Sequence, residues 1–134
     1  MFEHAKNIWE GENLYLSGSP LPKEPCTEAT QLFYGEIENY DFSKPVFSWK
    51  TGHFTQVVWK NTKEIGAAKR IRNDSKLVVV IRYFPPGNLL SQEAFKKNVL
   101  PIPGEGRGGA FERCASLAFT GFVWVVGTCG QFIF

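Results

Sequence analysis

The segment 76–84, Lys-Leu-Val-Val-Val-Ile-Arg-Tyr-Phe, constrains the fold of this chain more than any other. It is a continuous run rich in β-branched and aromatic residues, and it stops at Pro85-Pro86-Gly87-Asn88. Such a run predicts a strand, and one buried on both faces, hence central in its sheet. The run Ile65 to Arg72 precedes it across Asn73-Asp74-Ser75, which predicts an antiparallel hairpin.

The rest of the chain is organised around that hairpin. Residues 1–16 read as irregular or helical. Residues 17–26 hold three prolines and two serines and read as a loop. From Thr27 the pattern turns helical, with Thr27 as N-cap and Glu28 in the first turn. Ala29, Leu32, Phe33, Ile37 and Tyr40 continue it at helical spacing. A second short helix is expected from His53 to Lys60, with Phe54, Val57 and Val58 as its apolar stripe.

A length of 134 residues fits one domain, and 21% charged with 43% hydrophobic residues describes a globular protein rather than a disordered one. The formal charge of +2 is a mild basic bias. Lys69, Arg70, Arg72 and Lys76 form one local cluster, too sparse for a nucleic-acid-binding stripe. It reads as a solvated hairpin face, with a weak preference for anionic lipid headgroups as the functional option. Cys26, Cys114 and Cys129 have neither zinc-ribbon nor disulfide-framework spacing. The first residues carry no apolar secretory segment and no Met-Gly start for myristoylation.

Two features point to chemistry. Glu36 shares the apolar stripe of the first helix, at three residues from Phe33 and four from Leu32, while Glu28 and Glu38 point elsewhere. A carboxylate there is costly unless it is bonded, paired or metal-bound. The loop 40–49 spaces Tyr40, Phe42 and Phe47 as aromatic-x-aromatic-x4-aromatic. These rings either close over a flat apolar ligand or fill the seam between loop and sheet.

Three separated motifs recur in order: Gly11-Glu12-Asn13-Leu14, then the run from Gly52-His53-Phe54-Thr55 to Trp59-Lys60-Asn61-Thr62, then the strand and turn from Val78 to Asn88. Together they resemble the CAP superfamily of cysteine-rich secretory proteins, antigen 5 and pathogenesis-related proteins. The resemblance implies an α+β fold, an α-β-α sandwich lacking its first helix and strand, over residues 1–103. Residues 104–134 fall outside it, as a Gly-rich linker and an atypical apolar tail. For the charge-free stretch 115–134 the readings, in order, are a translated non-coding end, a tail anchor of about 20 residues, and a replacement core segment.

The resemblance further implies a cleft built from His4, Glu12, Glu36 and His53. Two imidazoles and two carboxylates can hold zinc with a position open for water, or form a metal-free network. The loop of Tyr40, Phe42 and Phe47 matches one associated with sterol binding in the family. Ser48, Thr51 and Thr55 lie near His53 but in no activated-nucleophile motif, and the implied function is non-enzymatic. Partners implied are sterol or other lipids, a membrane surface and a second copy of the chain in a homodimer, with no nucleic acid. Ile81 stands where secreted relatives carry a cysteine, which favours an intracellular, Golgi or other membrane-associated member. The rival is a secreted defence or venom-like effector acting through protein binding, and a metal-dependent hydrolase is a third class. Asn13, Gln56, Asn88, Trp59 and Gly87 read as scaffold within the same motifs.

Overall fold

The hydrophobic run does form the centre of a sheet. In the computed structural model, which describes residues 3–102, three antiparallel strands lie in the order β1–β3–β2. They are β1 Gly11–Ser17, β2 Glu64–Ile71 and β3 Leu77–Phe84. The linker and tail anticipated over 104–134 lie outside the described residues. The hairpin turn closes with Arg72 N–H donating to the Lys76 carbonyl at 2.8 Å, and Ser75 takes the left-handed conformation at φ 61°. Asn13 faces Ile81 and Tyr15 faces Val79 across β1 and β3, while Ala67 faces Ile81 from β2.

Burial along β3 alternates instead of being complete on both faces. Leu77, Val79, Ile81 and Tyr83 are buried, whereas Val78, Val80 and Arg82 are only half-buried. Arg82 sits on the second face, and a guanidinium needs water or a counter-charge, so that face stays partly open. On the first face the buried side chains pack with Tyr15 of β1 and with Ala29 and Phe33 of α1. Fully burying side chains such as Val79 and Phe33 contributes about 1.5–3 kcal/mol each.

Residues 11–17 are a strand, not the irregular or helical segment expected. The buried positions of β1 are Asn13, Tyr15 and Ser17, while Leu14 and Leu16 take the half-buried face. Polar groups occupy two of the three core-facing sites, so the period-two hydrophobic signal is inverted.

Helix α1 spans Pro25–Gly35 and begins two residues before the expected cap, with Pro25 in its first turn, where a missing N–H costs nothing. Its stripe is also narrower than predicted: Ala29 and Phe33 are buried but Leu32 is 57% exposed. A 3-10 turn, Glu36–Asn39, carries the chain to buried Tyr40. Helix α2, Gly52–Val57, is shorter than the expected 53–60. Helix α3, Gln92–Asn98, was not foreseen; Ser91 Oγ accepts from Ala94 N–H at 3.2 Å as its cap, and Lys96 and Lys97 sit in its last turn. Phe95 and Val99 bury with Trp59, Phe54 and Tyr40 as a second core cluster.

Candidate functional site

The carboxylate that looked out of place has a structural employment. Glu36 Oε2 accepts from the backbone N–H groups of His53 at 3.0 Å and Phe54 at 3.1 Å. Thr51, the N-cap of α2, makes no side-chain cap, so Glu36 satisfies first-turn donors from 17 residues away. Its other oxygen lies 2.7 Å from His53 Nδ1. An ionised carboxylate only accepts, so Nδ1 carries the proton, and Nε2 is the nitrogen left uncommitted among the described residues. The imidazole stacks on Phe33, with centroids 4.7 Å apart at 14°. Three elements thus fix one ring.

Glu12 and His4 form a second pair. Glu12 Oε1 lies 2.9 Å from His4 Nδ1 and accepts from Ala5 N–H at 3.0 Å. Its Oε2 is 2.8 Å from Arg82 Nε, a contact of charge rather than an aligned hydrogen bond. Arg82 stands directly across the sheet from Glu12. The Glu12 side chain is 4% exposed and that of His4 is 62% exposed. Arg82 was missed by sequence reasoning. It is the one charged residue inside an apolar run, the same signal that singled out Glu36.

Asn13 ties the His53 pair to the sheet. Its Nδ2 donates to the His53 carbonyl and to the Tyr83 hydroxyl, each at 3.1 Å. Burial pushes the Tyr83 hydroxyl far above the ordinary tyrosine range. Yet Glu12 and Asn13 are successive residues of β1, and successive side chains leave opposite faces of a strand. The four predicted residues are therefore brought together as two pairs. Among the described residues, no three or more His, Cys, Asp or Glu side chains form a group able to hold a metal ion.

The donor chemistry limits how zinc fits. Both carboxylates have spent their oxygens on backbone, imidazole or guanidinium. Each backs a histidine through Nδ1 and leaves Nε2 for a ligand, the arrangement in which a carboxylate orients a metal-binding imidazole. In donor type each imidazole suits zinc, with Glu12 behind His4 and Glu36 behind His53, but the two belong to separate pairs.

The signature glycines and amides build the surrounding scaffold. Gly87 N–H donates to Gln56 Oε1 at 2.9 Å, and a Cβ on Gly87 would lie 2.7 Å from Gln56 Nε2 and 2.8 Å from Trp59 Cγ. Asn88 donates to the Gly52 carbonyl at 2.9 Å and accepts from Thr55 Oγ1 at 2.7 Å. Thr51 Oγ1 donates to the Ser48 carbonyl and Ser48 Oγ accepts from Lys50 N–H. The three hydroxyls near His53 in sequence are thus all engaged, those of Ser48 and Thr51 within their own loop and that of Thr55 with Asn88 from the turn after β3.

The aromatic loop packs inward. Tyr40 meets Phe42 at 4.8 Å and Phe54 at 5.5 Å, and Phe47 meets Phe95 at 6.5 Å between centroids. The Tyr40 hydroxyl is buried without a hydrogen-bond partner among the described residues. Burial, then the charge of Asp41, raises its pKa above the ordinary value of 10.0.

No protein-family model matches the chain. It is 49% identical over 74 residues to human Golgi-associated plant pathogenesis-related protein 1, covering 55% of this chain and 48% of that protein. It is 35% identical over 85 residues to pathogenesis-related protein 1 of Arabidopsis thaliana, covering 63% and 51% respectively. A solved structure of NaASP2 with Zn2+ superposes with a TM-score of 0.61 at 24% identity, over 72% of this chain and 56% of that one, which establishes a shared fold. The chain belongs to the CAP superfamily, with its α+β fold. It spans about half the length of these two curated relatives.

Proposed function

We propose that this chain is a non-enzymatic, lipid-associating CAP domain that binds sterol or anionic phospholipid through the loop of Tyr40, Phe42 and Phe47. The observation that carries the reading is the Tyr40 hydroxyl. It is a buried, unspent donor within a cluster of flat rings, and leaving such a group unpaired costs about 1–3 kcal/mol. A hydroxylated, flat apolar ligand would recover that cost and stack on the same rings. Sterol titration of the full chain tests it: Phe42→Ala should abolish binding, and Tyr40→Phe should weaken it about three- to tenfold. Unchanged sterol affinity in both variants contradicts the reading.

The absence of catalysis is part of the proposal. Neither imidazole is bonded to a hydroxyl nucleophile among the described residues, and both are held by carboxylates already occupied elsewhere. Zinc is proposed as an ancillary ion bound at Nε2 of His53. Calorimetric titration giving the same zinc heat for wild type and His53→Ala would remove it. The proposed setting is intracellular, at the Golgi or another membrane, alone or as a homodimer and without nucleic acid. The name of the human relative supports that location. Among the described residues no helix is long and apolar enough to cross a membrane. The second reading, a secreted defence effector acting through protein binding, takes support from the plant pathogenesis-related relative.

A further inference from the structure

One end of the molecule exposes an apolar surface that the core does not use. Trp49 is 89% exposed, Leu90 83%, Leu89 54% and Val46 47%. Val46 and Trp49 flank Phe47, which ties their loop to α3. Its ring lies 5.0 Å from that of Trp49 and 6.5 Å from that of Phe95 in α3. It also packs on Gly52, where a Cβ would stand 3.3 Å away. Leu89 and Leu90 bridge the short step from Asn88, bonded to the Gly52 carbonyl, to Ser91, the cap of α3. Both loops therefore leave the same hydrogen-bonded knot.

The charges around this knob are of one dominant sign. Lys44 and Lys50 flank it on one loop, and Lys96 and Lys97 lie on α3. Lys60 is tied to the end of α3, its N–H donating to the Asn98 carbonyl at 3.1 Å. All five are exposed, and none is in an ion pair among the described residues. Glu93 is the acidic residue on α3, and Asp41 lies at the far end of the loop. The bias is written into the chain: residues 42–102 hold eleven Lys and Arg against three Asp and Glu, whereas residues 1–41 hold two against eight.

We infer that Trp49, Leu89, Leu90 and Val46 form a docking face that sits at headgroup level in an anionic bilayer, rimmed by Lys44, Lys50, Lys60, Lys96 and Lys97. Tryptophan favours the bilayer interface because its ring is apolar with one polar edge. Leucines add buried apolar area, and each lysine near the surface adds attraction to anionic lipid. This rests on the lipid-surface reading above, but the residues that meet the bilayer lie outside the aromatic triplet, of which only Phe47 supports them from beneath.

The test is co-sedimentation of the full chain with phosphatidylcholine vesicles, with and without phosphatidylserine. Wild type should bind the anionic vesicles and bind the neutral ones weakly. The double variant Trp49→Ser, Leu90→Ser should lose about tenfold or more in partitioning, with its thermal unfolding unchanged because both side chains are exposed. Trp49→Phe keeps the anchor and isolates the signal: the emission it removes should be blue-shifted and quenched by brominated lipid. A double variant that binds like wild type, or a Trp49 signal untouched by brominated lipid, overturns this face while leaving the lipid reading standing. Equal binding to both vesicles overturns the anionic partner. Wild type that binds neither overturns this face together with the anionic-phospholipid reading and leaves sterol binding to its own titration, and a dimer abolished by the double variant would then give the face to a second copy of the chain.

Discussion

The two histidine–carboxylate pairs have similar distances, 2.7 Å at His53 and 2.9 Å at His4, and opposite constructions. His53 is held between a 3-10 turn, the first turn of α2 and the ring of Phe33. His4 hangs from an irregular segment by one contact, and in that pair it is Glu12 that is built in, buried against Arg82. A short donor–acceptor distance therefore says little about how firmly a site is preorganised. What counts is how many independent elements would have to move to break it.

That contrast sets an order of effects. Glu36→Ala removes an acceptor for two α2 amides and the partner of His53, so it should destabilise the fold by about 2–3 kcal/mol in chemical denaturation. A loss below about 0.5 kcal/mol would mean that water replaces Glu36 freely and that the pair is not built in.

Next in size is the response to alkali, which probes the Asn13–Tyr83 bond beneath the His53 pair. Tyr83 is 2% exposed and burial raises its pKa above the ordinary 10.0. Its stabilisation is complete below pH 10 and is lost as pH rises through the folded value, because the unfolded chain releases that proton first. Stability should fall by about 1 kcal/mol by pH 11 relative to pH 9. Tyr83→Phe should flatten that slope; an unchanged slope would assign the effect to Tyr15 and Tyr40, whose pKa values burial also raises. Smallest is His4→Ala, expected within about 0.5 kcal/mol of wild type because its side chain is 62% exposed. A larger loss would show the two pairs to be alike.

How much of this was legible in the chain depended on which residues face the core. The hairpin announced itself because its strand is apolar and its turn is Asn-Asp-Ser. Glu36 was legible for the converse reason, a charge among apolar neighbours, and so in principle was Arg82. Strand β1 was hidden because Asn13 and Ser17 take core positions. Asn13 does so because it bonds two groups that only the folded chain brings near, the His53 carbonyl and the Tyr83 hydroxyl, and Ser17 donates to the adjacent Gly18 carbonyl. Helix α3 was hidden by its brevity; one turn of cap and the pair Phe95 and Val99 carry it. The expected meeting of four side chains depended on strand parity, which can be read from sequence only once β1 is known to be a strand. Leu32 fell outside the core because α1 meets the sheet along a narrow stripe.

A double-mutant cycle decides between a built-in pair and a loosely attached one. Glu36→Gln with His53→Ala, and Glu12→Gln with His4→Ala, are each compared with their single variants by chemical denaturation. Coupling of about 1–2 kcal/mol for the first pair and under about 0.5 kcal/mol for the second is the predicted result. Equal couplings, or the larger one at His4 and Glu12, would contradict the account.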